Sequence, residues 1–289
     1  MRRSIAEQAN SSVDNLSDWG QERSNLEFFA KALRALRRRG ASAGEFVIGL
    51  VGSRDLPGIS LRRAQAVLRD DRRPSYWSHA FVITADWDGK SPVAELPLAE
   101  VPFHPRSGEF PEPARNAVLR STQLRHYADA RVDANLALFS LCLPQAAAVA
   151  ASARRRGGSK PFCALDEERR KVLRAALADP NLDRDRFDFW RELAIWQQYF
   201  WSGEQTPNPS AAGHPLPAAS FIEYLFEQIG VDLTPSASAL NSAPEHLWTS
   251  FRWWLQAEVQ AERGLDATEV CGCFLIRDSG ASVLPAGTY

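Results

Sequence analysis

Cysteine, lysine and methionine are scarce in this chain of 289 residues, and so are long apolar runs. The four cysteines, Cys142, Cys163, Cys271 and Cys273, are too few and too unevenly spaced to staple a disulfide scaffold, and they suit a reducing compartment. Cys271-Gly-Cys273 lacks the second ligand pair or neighbouring histidines that a zinc site needs, because His79, His104, His126, His214 and His246 are scattered. It reads as small residues alternating on a buried strand, so neither a metal nor an organic cofactor is expected. The most apolar stretch, 134–153, is broken by Asn135, Ser140, Pro144 and Gln145 and falls short of a span of about 18–20 apolar residues, so no integral membrane insertion is expected. Residues 1–20 contain no apolar core of the kind a secretion signal carries. A cytoplasmic location is expected, with export by a specialised system left open. Excess charge of one sign is also missing: 34 basic against 35 acidic residues give a net charge of −1, which argues against an indiscriminate polyanion binder, and no nucleic-acid partner is expected. Only Lys31, Lys90, Lys160 and Lys171 are lysines, a bias we attribute to coding composition.

What is present is enough for a core. A chain of this length buries roughly 70–75% of its unfolded surface without needing staples. Residues 1–23 are polar and aperiodic and are expected to form a loose arm, leaving 24–289 as a single domain. Leu26, Phe29, Ala30, Leu33 and Leu36 recur at helical spacing behind Asn25 as a candidate cap, and Arg37–Arg39 before Gly40 suit the helix C-terminus. Residues 44–51 and 80–85 are short, β-branched and apolar, as core strands are. Between them Ser60 is a candidate cap for a helix over 60–70. Asp88-Gly89 then predicts a turn and 93–96 a returning strand. Prolines 97, 102, 105, 111 and 113 exclude a continuous helix or central strand there. Further on, the pattern predicts a strand over 136–143 and helices over 144–156, 166–178, 187–201, 218–229 and 244–262. A last strand is expected over 269–277. The aromatic helix 187–201 and the segment 246–255, with Trp248, Trp253 and Trp254, read first as core and second as a surface for a protein partner.

Three segments in this order resemble the circularly permuted papain-like proteins of the NlpC/P60 superfamily, the YiiX-like group among them. Gly44-Glu-Phe-Val-Ile-Gly resembles the entry strand, and Ser78-His79-Ala-Phe-Val-Ile resembles the strand that carries the catalytic histidine in that family. Residues 218–235, from Ala218 through Ser220 and Gly230 to Pro235, have the rhythm of the nucleophile helix. The resemblance covers about a third of the chain. It implies an α+β fold, an antiparallel sheet with packed helices, and a large, mostly helical insertion over about 97–217. It also implies that His79 is the general base, that Glu95 orients it, and that Tyr76 and Trp77 line a ligand groove. The implied ligands are peptides, amides or acyl-bearing small molecules.

The family's chemistry places a thiolate at a helix N-terminus, across from an imidazole that accepts and returns its proton. Here the nucleophile slot holds Ala218, and a methyl group cannot attack a carbonyl. A natural pseudoenzyme that kept its groove, an introduced inactivating substitution and a shifted register all remain open. Ser220 is the alternative nucleophile for an active amide or ester hydrolase or acyltransferase. Two positions rotate a side chain by about 200° around a helix, however, so capping or small-residue packing competes for that serine. The expectation is a catalytically inactive or atypical relative of cysteine amidases and peptidases that binds an amide, peptide or acyl ligand. An active hydrolase and an interaction protein are the alternatives.

Overall fold

A computed structural model describes residues 24–38, 45–85, 91–98, 120–142, 165–179, 189–202, 206–235, 241–261 and 269–280. The expected arm at 1–23, the turn at Asp88-Gly89, the helix over 144–156 and Cys163 lie outside these residues.

Six strands form one antiparallel sheet: β1 (Val47–Ser53), β2 (His79–Ile83), β3 (Pro92–Glu95), β4 (Arg120–Gln123), β5 (Asp133–Cys142) and β6 (Glu269–Ile276), in the spatial order β4-β3-β2-β1-β5-β6. The class is therefore α+β with an antiparallel sheet, as expected. The segment expected as a mostly helical insertion, 97–217, supplies two helices and also two of the strands, of which β5 matches the strand expected over 136–143. Within it β5 lies between β1 and β6, and its Ala134, Leu136 and Leu138 are wholly buried. The strand over 120–123 went unanticipated because Arg-Ser-Thr-Gln has no apolar alternation to announce it.

Alternation along the strands separates two cores. On one face Val47, Val51, Phe81, Ile83, Leu136 and Leu138 meet Phe28, Phe29, Ala32, Leu33 and Leu36 of helix α1 (Asn25–Arg38). On the other, Ile48, Leu50, Ala80, Val82, Ala137 and Phe139 meet helices α5 (Pro217–Glu227) and α6 (Pro244–Ala261). Helices α3 (Glu167–Leu177) and α4 (Phe189–Ser202) supply Leu173, Leu193 and Trp196 to that second core. Gly49 belongs to the pairing itself: it lies opposite Phe81, and a Cβ there would come within 2.1 Å of the Phe81 ring.

Local signals explain most helix ends. Asp166 caps α3 by accepting the Arg169 N–H at 2.8 Å, as expected from sequence. Just past α5, Gly230 takes a φ of +73°, the left-handed conformation that glycine adopts at little cost. Two ends differ from expectation. The cap of α1 is Ser24, whose Oγ accepts the Glu27 N–H at 3.2 Å. Asn25 is wholly buried instead: its Nδ2 donates to the Tyr127 and Asp133 carbonyls, both at 2.8 Å, and its Oδ1 accepts from Arg277 at 2.6 Å. The helix expected over 60–70 starts earlier, as α2 (Leu56–Ala64), with Asp55 capping the Gly58 N–H at 2.9 Å and proline in the first turn, where its missing N–H is no loss. A 3-10 turn, 65–68, completes it.

Two buried polar groups fix loops to this frame. Arg62, with no exposed surface, donates to Asp278 at 3.0 Å and to the Ser75 carbonyl at 2.8 Å. Together with the Arg54 and Gly280 N–H groups it holds Asp278 at a pKa of about 2, against the opposing effect of burial. On α5, Glu223 is 1% exposed, and its Oε1 accepts the N–H groups of Leu233 and Thr234 at 3.0 and 3.2 Å. Among the described residues its Oε2 has no hydrogen-bond partner. Burial first, then the neighbouring Asp232 carboxylate, push its pKa up to about 8.

Candidate functional site

Antiparallel pairing of β2 with β3 sets Phe81 opposite Glu95, so His79 and Glu95 share a face and lie diagonally adjacent. Their side chains meet: His79 Nε2 is 2.7 Å from Glu95 Oε2. Glu95 is entirely buried, and its Oε2 also accepts the Tyr127 hydroxyl. A buried carboxylate is costly unless it is charge-paired or fully hydrogen-bonded, and these two donors meet that need. Tyr127 comes from the 3-10 turn 124–127 between β4 and β5, stacked on Phe81 at 5.0 Å between ring centroids.

The orientation fixes the tautomer. Because the Glu95 carboxylate accepts at Nε2, neutral His79 carries its proton there and presents the Nδ1 lone pair. Among the described residues Nδ1 has no hydrogen-bond partner. The ring is 16% exposed and borders a cleft of about 280 Å³ where the ends of β1, β2, β3 and β5 meet. Ser53, Asp55, His79, Glu95, Tyr127 and Asp133 supply its polar wall, and Pro57, Pro97, Leu98 and Val132 its apolar one.

Asp133 is the second buried carboxyl of this cleft. Its Oδ1 accepts the Ser53 hydroxyl at 2.7 Å, and Oδ2 has no hydrogen-bond donor among the described residues. Burial raises its pKa above the usual carboxylate range, and Asp55 pushes the same way, while Ser53, His126 and His79 act in opposition. Ser53 reaches Asp133 because β1 pairs with β5, with a register shift at Gly52 and Ser53.

The remaining expected site residues stand elsewhere. Trp77 has no exposed surface and packs against Trp248 at 5.0 Å, so it cannot line a groove. Tyr76 lies edge-on to Trp248 beneath the Arg69 guanidinium, and neither residue borders the cleft. The physical reason is that aromatic area is best buried where a core layer can receive it, here on α6. Ala218 and Ser220 lie on α5, 4% and 1% exposed, in the core that receives Ala80 and Val82. His79 follows Phe81 and Ile83 onto the opposite face, its ring 6.2 Å from that of Tyr127. The α5 start and the imidazole thus belong to different faces of the sheet, and Ser220 Oγ is buried without a partner among the described residues. His79 and Glu95 are brought together; Ala218, Ser220, Tyr76 and Trp77 do not join them.

Ser53, Tyr127 and Asp133 were missed as site residues. A signal for Ser53 existed in the Ser-Arg-Asp that follows a core strand, but nothing local to 120–133 marked Tyr127 or Asp133. A second histidine–carboxylate pair, His214 Nδ1 to Glu192 Oε2 at 3.0 Å, ties α4 to the loop before α5, and neither residue borders the cleft. Of the tryptophans weighed as a partner surface, Trp196, Trp248 and Trp254 are buried, while Trp201 and Trp253 are exposed. Among the described residues no group of three or more His, Cys, Asp or Glu could hold a metal ion, and no helix is long and apolar enough to cross a membrane.

Comparison with models of known families, with curated proteins and with solved structures finds no match to this chain.

Proposed function

We propose that this chain is a catalytically silent or atypical module of the permuted papain-like, NlpC/P60 type, and that it binds an amide- or acyl-bearing small molecule or peptide in the cleft at the strand ends. The observation that carries this is the His79–Glu95 contact of 2.7 Å, with Glu95 buried and Nδ1 of the ring left open. A carboxylate that holds one ring nitrogen turns the other into a fixed acceptor, suited to a ligand N–H or O–H. The class of ligand comes from the order of the three resembling segments in the sequence. Binding is favoured over hydrolysis because residue 218 offers no nucleophile and Ser220 does not border the cleft.

N-acetyl-L-leucinamide is a suitable probe, titrated by isothermal calorimetry with protein ¹⁵N spectra recorded in parallel. Wild type is expected to bind it with perturbation of the His79 ring. In Glu95→Gln, the new amide donates to Nε2 and moves the ring proton to Nδ1. The acceptor then becomes a donor, and affinity falls about tenfold, the worth of one hydrogen bond. Unchanged affinity in a variant whose ring spectrum shows the tautomer switch would refute the assignment, as would a wild-type protein that does not bind the probe.

A further inference from the structure

Two acceptors of the cleft stand open among the described residues. Nδ1 of His79 offers a lone pair, and Oδ2 of Asp133, on a side chain 6% exposed, lacks a donor among the described residues. Among the described residues Asp55, Glu95, Asp129 and Asp133 line the cleft together with His79 and His126, and no lysine or arginine does. Of the nearby cations, Arg54 and Arg62 pair with Asp278, outside the cleft, while Arg131 pairs with the cleft's own Asp129, and His126 acts on Asp133 from the cleft wall. A buried carboxylate with one oxygen unmatched is stabilised by an incoming positive donor, since opposite charges attract more strongly where water is partly excluded. Burial, with the Asp55 carboxylate acting the same way, raises the pKa of Asp133. Beside this polar wall the lining is apolar, with Pro57, Pro97, Leu98 and Val132, and Val132 is 40% exposed.

We infer that the cleft selects a primary ammonium group carried on a short apolar arm, with the ammonium donating to Asp133 Oδ2 and His79 Nδ1 and the arm lying on Pro57 and Val132. Three N–H donors on one compact cation match two open acceptors with one to spare for water or Ser53. This selectivity rests on the proposal that the cleft is a ligand site, and it narrows the amide ligands to those with a free amino group. Free alkylamines share the ammonium and the arm and differ in lacking the amide.

The test compares three probes on the full chain by calorimetry: L-leucinamide, N-acetyl-L-leucinamide and n-butylammonium. L-Leucinamide is expected to bind at least tenfold more tightly than its acetylated form. Asp133→Asn, which keeps an oxygen for Ser53 while losing the charge, is expected to abolish that advantage. Equal affinities of L-leucinamide and the acetylated probe in wild type would overturn the ammonium selectivity and leave the amide-binding cleft standing. Failure of both amides to bind would overturn the cleft as an amide site. Butylammonium bound as tightly as L-leucinamide, with loss on Asp133→Asn, supports the ammonium site and assigns it to simple amines. The wild-type comparison stands whether or not the variant folds.

Discussion

Glu223→Gln makes the sharpest test of the packing around α5. In the wild type the carboxyl accepts two backbone N–H groups through one oxygen, while the other oxygen faces burial and the Asp232 carboxylate. With the folded pKa at about 8 against an ordinary 4.5, the folded state retains a proton that the unfolded chain releases first. Stability from this group is therefore complete below pH 4.5, falls as pH rises and levels off above pH 8. Each pH unit in that window costs about 1.4 kcal/mol, or about 3 kcal/mol between pH 5 and 7.5. Against a total of about 5–15 kcal/mol for a folded chain, that is a large share. Glutamine preserves the accepting oxygen, and its amide nitrogen donates where the protonated oxygen would. The variant should match wild type near pH 5 and exceed it by about 3 kcal/mol at pH 7.5. Urea unfolding of both proteins at pH 5, 6.5 and 7.5 reads this directly, with the slope m checked for constancy. A stability difference that stays the same at all three values would refute the assignment of a neutral Glu223.

Asp278→Ala should be severely destabilising, by about 3–5 kcal/mol, because it leaves the Arg62 guanidinium buried without its carboxylate; urea unfolding at pH 7 measures the loss. A loss below 1 kcal/mol would show that Arg62 relaxes to solvent. Gly49→Ala places a methyl 2.1 Å from the Phe81 ring, so the ring must move out of its stack on Tyr127. The expected cost is about 1–3 kcal/mol in thermal or urea unfolding, and the double change Gly49→Ala with Phe81→Leu should recover part of it.

The sheet was largely legible in the sequence because its central strands are apolar runs bounded by breakers. The His79–Glu95 pair was legible through the family resemblance, and the hairpin expected from Asp88-Gly89 is consistent with it: β2 and β3 pair so that residues sixteen apart lie beside each other. What stayed hidden depended on contacts between distant segments. Asp133 enters the cleft because β5 inserts beside β1, and no local feature of 120–133 announces that neighbour. Helix α2 was placed late because Leu-Pro-Gly-Ile reads as a turn until Asp55 is recognised as its cap. Which face a strand residue takes also needs the partner layer. His79 and Ala80 are adjacent in sequence, yet only Ala80 meets α5, so the order of motifs could not show that residue 218 and the imidazole lie on different faces.

Asn25 gives the cleft a remote handle. One amide at the start of α1 grips the main chain of both Tyr127 and Asp133, so two shoulders of the cleft are tethered to a helix that supplies none of its described lining residues. Tightening or loosening that helix changes how rigidly the two shoulders stand, and by thermodynamic reciprocity a molecule seated between them must in turn strengthen or weaken the docking of α1. A fluorophore on the outer surface of α1 would then report occupancy from across the layer.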